Sequence, residues 1–197
     1  MRIGPVRRWV ALLAFALAPF PLHASILGSS SPLLPDFIRM QYAGQAGMLS
    51  LGSGYSWWHR HAEVSANYGY VPLKVADRRV HVLSERNAFS PGALSLGKSL
   101  ALEPVVAGVT ANVTLGNRYQ LFLPKAQRDY YWPDALYFWF FAGPRIAYLP
   151  SRPFLFKGIG AQIEAGTINQ YIRSYRNNRD VELGDILSLA LSAQIYL

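Results

Sequence analysis

Histidine is the side chain best placed to move protons near neutral pH, and it is scarce here: beyond His23 the chain offers His59, His61 and His81. His59, His61 and Glu63 stand two apart, so in an extended segment they share a face and present three metal-ligating groups on one side. The plainer use of the same residues is a polar turn beside Trp57 and Trp58, because a turn does not hold them in line. His81 follows Asp77-Arg78-Arg79 at the start of a strand and is a general-base candidate there. Glu63, Glu164 and Arg145 fall on the small, polar faces of alternating segments, and Glu85 is a candidate to join them. Two carboxylates in a cleft can divide acid and base roles. In a narrow interior, buried charge is costly unless paired, so inward Glu and Arg neutralise one another and fill the space. The pattern favours this structural use, and no catalytic, cofactor-binding or metal site is expected.

Other chemistries have little support. Gly52-Ser53-Gly54 and Gly158-Ile159-Gly160 lie within strands with no following helix to hold a phosphate, so close packing is their expected role. Aromatic residues such as Tyr55, Trp57, Tyr70, Trp139, Tyr148 and Tyr196 gather near strand ends, as in an interfacial girdle. Tyr130-Tyr131-Trp132, beside Lys125 and Arg128, is suited either to packing over a barrel mouth or to contact with lipopolysaccharide, a ligand or a partner.

The elements that must position these residues alternate with period two. From Leu187 to Leu197, Leu189, Leu191 and Ile195 fall on one face while Ser188, Ser192, Gln194 and Tyr196 fall on the other. Ala62 to Val71 sets Val64, Ala66, Tyr68 and Tyr70 against Glu63, Ser65, Asn67 and Gly69. The second half of Tyr42–Trp57 alternates likewise, as do Leu102–Leu115, Ala135–Tyr148 and Phe154–Thr167. Val80 to Phe89 carries Arg86 on one face and Glu85 on the other, which leaves its outward face open.

Most of these strands exceed the usual five or six residues of globular sheets. Small polar faces suit the inside of a narrow barrel, and the larger apolar faces suit lipid. Lipid offers no hydrogen-bond partner, so such a sheet must close on itself. The connections Trp58–His61, Ser90–Lys98 and Pro150–Pro153 alternate with Pro72–Arg79, Gly116–Asp134 and Arg173–Gly184. The shortest lie in the first set and the longest in the second, so the first set is expected to be periplasmic. Seven strands are evident, and both termini on one side require an even number. An eighth is therefore expected over Phe37–Gln45, with Gly44 to Gly47 allowing a bend. The expected fold is all-β: an eight-stranded antiparallel transmembrane β-barrel over residues 37–197.

Residues 1–24 read as a secretory signal, with Arg2, Arg7 and Arg8 before the apolar Val10–Leu17 and a Leu22-His23-Ala24 cleavage site. Residues 25–36 read as a flexible lead-in. Loss of those three arginines, with no acid, takes the net charge from +8 to +5, spread along the chain, so no nucleic-acid partner is expected. With no cysteine, no disulfide staples the fold. Beyond the signal no run of 18 apolar residues is present to form a membrane helix.

Gly47-Met48-Leu49-Ser50-Leu51-Gly52-Ser53-Gly54-Tyr55, Tyr68-Gly69-Tyr70-Val71-Pro72 and Asp185-Ile186-Leu187-Ser188-Leu189 resemble segments of small outer-membrane barrel proteins of Gram-negative bacteria. The resemblance spans Gln41 to Leu197 and is to an uncharacterised group of that class. It implies the cell outer membrane as location, with outer-membrane lipid, lipopolysaccharide and the barrel assembly machinery as partners. The expected role is structural or interaction-based, through the loops Gly116–Asp134 and Arg173–Gly184. In size and architecture the chain is also similar to the outer-membrane lipid A deacylases, which use a His–Ser–Glu set with a His-x-Ser-Asn pattern on their final strands. The corresponding stretch, Ile163 to Asp185, offers Ser174, Glu164 and Glu182, but no histidine follows His81 to activate a serine. A hydrolase acting on lipid A is thus the alternative reading. A soluble periplasmic lipid-carrying barrel, its apolar faces turned inward, is a third.

Overall fold

A computed structural model describes residues 34–116, 119, 133–152, 155–178 and 180–197. The expected signal, most of the lead-in and the Tyr130-Tyr131-Trp132 cluster lie outside them. The described strands are β1 (Phe37–Ala43), β2 (Leu49–Trp57), β3 (Ala62–Val71), β4 (Val80–Phe89), β5 (Leu94–Ser95), β6 (Leu100–Leu115), β7 (Leu136–Tyr148), β8 (Gly158–Ile168) and β9 (Ser188–Tyr196). Two described helices, α1 (Asn169–Asn177) and α2 (Leu183–Ile186), stand between β8 and β9.

The strands pair in the order β4-β3-β2-β1-β9-β8-β7-β6, and β4 returns to pair with β6 from His81↔Leu115 to Phe89↔Ala107. The sheet is therefore closed, and every pairing in it is antiparallel. The two-residue β5 is an appendage on β6, so the barrel has eight staves. The strand demanded by parity is β1, which joins the C-terminal β9 from Phe37↔Tyr196 to Ala43↔Ala190. The connections Trp58–His61, β4–β6 and β7–β8 share one end with the start of β1 and the finish of β9, here called the terminal end. The opposite, loop end carries the β1–β2, β3–β4, β6–β7 and β8–β9 connections.

One connection differs from expectation. The Arg173–Gly184 region, read as a charged loop, is overlapped at its two ends by α1 and α2. Beyond the rim the chain has no strand partner, and Asn169 to Asn177 contains neither Gly nor Pro, so local helical bonding satisfies its backbone. Asn169 fastens this helix to the wall: its side-chain carbonyl accepts the Phe138 N–H at 2.9 Å.

Burial is inverted relative to a water-soluble sheet protein. Outward residues such as Ile38, Met40, Leu51, Ile163, Leu189 and Leu191 are exposed, while alternate inward positions are buried whether apolar or charged. Phe37, Ala147 and Tyr196 pack together toward the terminal end. Val106, Trp139, Phe141 and Ala190 form a second apolar cluster.

The β1–β2 turn closes the loop end. Ala46 is buried, and Tyr137 donates its hydroxyl hydrogen to the Gln45 carbonyl at 2.6 Å from a strand that is not a neighbour of β1 or β2. Gly69 makes this fold-over possible, since a Cβ there would fall on the Ala46 carbonyl. Gly69→Ala is expected to lower stability by about 1–3 kcal/mol through this overpacking and to expose the Gly44–Met48 turn to protease. A urea midpoint and a cleavage pattern both unchanged would show that the turn is not held there.

Candidate functional site

Six Arg and Glu side chains enter the lumen among the described residues: Arg39 from β1, Glu63 from β3, Arg86 from β4, Glu103 from β6, Arg145 from β7 and Glu164 from β8. All are at most 6% exposed. Water cannot solvate charge at such depth, so pairing must do so.

They form two groups of opposite composition. In the first, Arg145 Nη1 donates to both Glu63 carboxylate oxygens at 2.7 Å and to Gln194 Oε1 at 2.8 Å. Its Nη2 donates to Glu103 Oε2 at 2.6 Å, and Gln194 Nε2 donates to Glu63 at 3.2 Å. Arg60 lies 3.9 Å from the other Glu103 oxygen, with its guanidinium 4.7 Å from the centre of the Tyr196 ring. In the second, Glu164 Oε1 accepts from Arg39, from Arg86 at 3.0 Å and from the Ser192 hydroxyl at 3.4 Å. The Arg86 guanidinium also stacks 3.6 Å from the centre of the Phe141 ring. One group has an arginine between two glutamates, the other a glutamate between two arginines. The three positive and three negative charges cancel across the lumen.

This arrangement is built to hold the walls together. Charge-assisted bonds occupy the Glu63 carboxylate on both oxygens, and each group links strands that are not neighbours. An apolar concavity of about 570 Å³ lies on the other side of the wall, where the paired Ala161 and Ala193 make a dip between Met40, Ile146, Ile163 and Leu191. Its lining is almost wholly apolar, so it lacks the convergent polar groups that orient a substrate.

The sequence candidates separate accordingly. Glu63 and Arg145 meet, and Glu164 joins the other group. Glu85, a candidate for the interior, is instead on the outer face of β4, because Ser84, Arg86 and Ala88 take the inward positions. His59, His61 and Glu63 do not gather. Trp58, His59 and Arg60 adopt left-handed backbone with φ of 51°, 57° and 70°, so the segment is not extended. His61 Nδ1 instead lies 2.7 Å from the Ser90 carbonyl, and Glu63 is inside the barrel.

His81 faces outward near the loop end, its Nδ1 against the Tyr68 hydroxyl at 2.5 Å and its ring 5.3 Å from that of Tyr70. These described partners are tyrosines, not the serine or carboxylate that a hydrolytic set requires. Ser174 is exposed on α1, whereas Glu164 is fully buried in the lumen. Glu182 precedes α2, where its N–H donates to the Asp185 carboxylate at 3.0 Å. The three residues corresponding to a deacylase set are therefore parts of different structures.

No protein-family model, curated protein or solved structure matches the chain. The lumen geometry must carry the functional reading by itself. The sequence pattern does not single out Arg39 or Glu103, and it leaves Arg86 without an assigned face. Arg39 had a signal in Phe37, Arg39 and Gln41 alternating with Ile38, Met40 and Tyr42.

Proposed function

We propose that the chain is an eight-stranded β-barrel of the bacterial outer membrane, with a sealed lumen and a structural or interaction role exercised at its loop end. The observation that carries this reading is the inversion of burial. A belt of exposed Leu, Ile, Met, Tyr and Phe surrounds a wall whose inner side holds six paired charges. Such a surface matches hydrocarbon, and a closed sheet leaves no backbone group to be satisfied by lipid. Eight staves leave an interior that side chains fill, so the barrel is not an open pore. A soluble lipid carrier would need an apolar lumen and a polar exterior, the reverse of this arrangement. Lipid A hydrolysis would need a base beside a nucleophile, whereas His81 is engaged by Tyr68.

The test is expression in a Gram-negative host. The protein is expected in the detergent-extracted outer membrane, migrating faster unheated than boiled, and silent in a planar bilayer. Lipid A acylation is expected to be unchanged on overexpression. A freely soluble periplasmic product would sink the membrane reading, stepwise conductance the sealed lumen, and altered acylation the non-enzymatic role.

A further inference from the structure

The apolar concavity on the outer wall runs obliquely as a groove, from Leu102 on β6 over Ala161 and Ala193 to Tyr42 and Leu49 at the loop end. Leu49 pairs with Tyr70 on β3 and Tyr70 with His81 on β4, so the groove ends two strand spacings, roughly 10 Å, from His81. Aromatic side chains bracket the apolar belt on these strands. Trp57 and Phe89 flank Ala62 near the terminal end, and Tyr68 and Tyr70 stand near the loop end. Such bands lie at the level of lipid headgroups. Immediately beyond the second band, the β3–β4 connection carries Lys74, Arg78 and Arg79, with Asp77 as its one acid. All three cations are exposed, and none has an anionic partner among the described residues. Leu73 and Val75 are exposed in the same connection, a mixture that suits the boundary between hydrocarbon and phosphate. His81 adds a donor. The Tyr68 hydroxyl lies 2.5 Å from its Nδ1, and with that hydroxyl donating, the ring hydrogen is on Nε2, to which no described residue bonds.

We propose that the β3–β4 hairpin and the groove form a docking site for one membrane lipid whose headgroup bears phosphate, an inference that rests on the membrane reading above and names a partner for the loop end. Lys74, Arg78 and Arg79 hold the phosphate by charge, His81 Nε2 donates to it, and one acyl chain lies along the groove. The groove lacks polar groups of its own, and those that would orient an occupant stand at its loop end. Charge complementarity selects the occupant. A neutral lipid would fill the groove and leave the three cations unanswered. The β8–β9 connection, in contrast, balances Arg173, Arg176 and Arg179 with Asp180, Glu182 and Asp185.

The test is native mass spectrometry of the folded protein in detergent micelles with added phosphatidic acid. One lipid adduct per chain is expected, and diacylglycerol with the same acyl chains, which lacks the phosphate, should bind at least about tenfold less. Arg78→Ser combined with Arg79→Ser should lower the affinity for phosphatidic acid roughly twentyfold, the order for two basic residues beside an anionic headgroup. Arg173→Ser combined with Arg176→Ser removes the same charge from α1, between β8 and β9, and should leave the adduct unchanged. His81→Phe keeps the ring without its donor and should cost roughly threefold. Ala193→Trp fills the groove without touching charge and should lower the adduct several-fold. The heat-dependent gel shift shows that each variant still folds. Equal binding of diacylglycerol, an equal loss in both arginine pairs, or an adduct indifferent to Ala193→Trp would overturn the proposal. Displacement by millimolar inorganic phosphate would also overturn it, by assigning the cations to a free anion. Fractionating the expressing cells separates the two readings: soluble protein overturns both, and membrane-embedded protein that takes up no phosphatidic acid overturns the lipid site alone.

Discussion

Arg145→Ala is expected to cost about 3–5 kcal/mol of stability, the range for removing one partner of a buried ion pair. The reason is the imbalance it leaves. Glu63 and Glu103 lose the guanidinium that bonds both, and Gln194 offers only a neutral amide. Arg60 cannot replace it, being one-quarter exposed and 3.9 Å from Glu103. The loss is structural as well as electrostatic, since Arg145 on β7 reaches across the lumen to Glu63 on β3. The folded fraction over a urea series, read from the gel shift, measures the effect. Arg145→Met combined with Glu63→Gln and Glu103→Gln should recover most of it, because buried neutral amides of similar volume cost far less than two unpaired carboxylates. A single variant within about 1 kcal/mol of the parent would show that the group does not brace the wall. A combined variant as weak as the single one would assign the loss to packing.

The wall of this barrel was legible because period-two patterning is a property of a single strand. Ala62–Val71 and Val80–Phe89 are read with the limits observed. Which side of the wall a residue takes was legible wherever one face is wholly apolar, as in β9. It failed for two physical reasons. In β4 each face carries charge, and the choice between Arg86 and Glu85 is made by the pairing Ser65↔Arg86↔Thr110, whose neighbours lie far away in sequence. In β6 strict alternation puts Glu103 on the outer face with Val105. A bulge between Glu103 and Val106 inserts an extra residue there and turns Glu103 inward onto Arg145. The local signal was Pro104, which has no N–H for the ladder and belongs at such irregularities. Glu63 and Arg145 of the first charged group are thus visible in single strands, and the placing of Glu103 depends on one proline.

Glu164→Gln should be as damaging as Arg145→Ala, about 3–5 kcal/mol, for the opposite reason. It leaves Arg39 and Arg86, both buried, facing each other without a carboxylate. The groups still near them are weak substitutes: the Gln162 carbonyl stands 3.5 Å from each arginine, and the Phe141 face serves Arg86 alone. Arg39→Met removes a longer side chain from the same group yet should cost less, because Glu164 keeps Arg86 at 3.0 Å. That ordering separates charge balance from volume. If packing governed the interior, the near-isosteric Glu164→Gln would be mild and Arg39→Met severe. If pairing governs it, the group tolerates the loss of either arginine better than the loss of the one carboxylate they share. Adding Arg39→Met to Glu164→Gln should then recover part of the stability lost in Glu164→Gln, since it removes the repulsion between the two guanidiniums. The same urea series reads all three variants, and a double variant weaker than both singles would show that the guanidiniums contribute chiefly as filling.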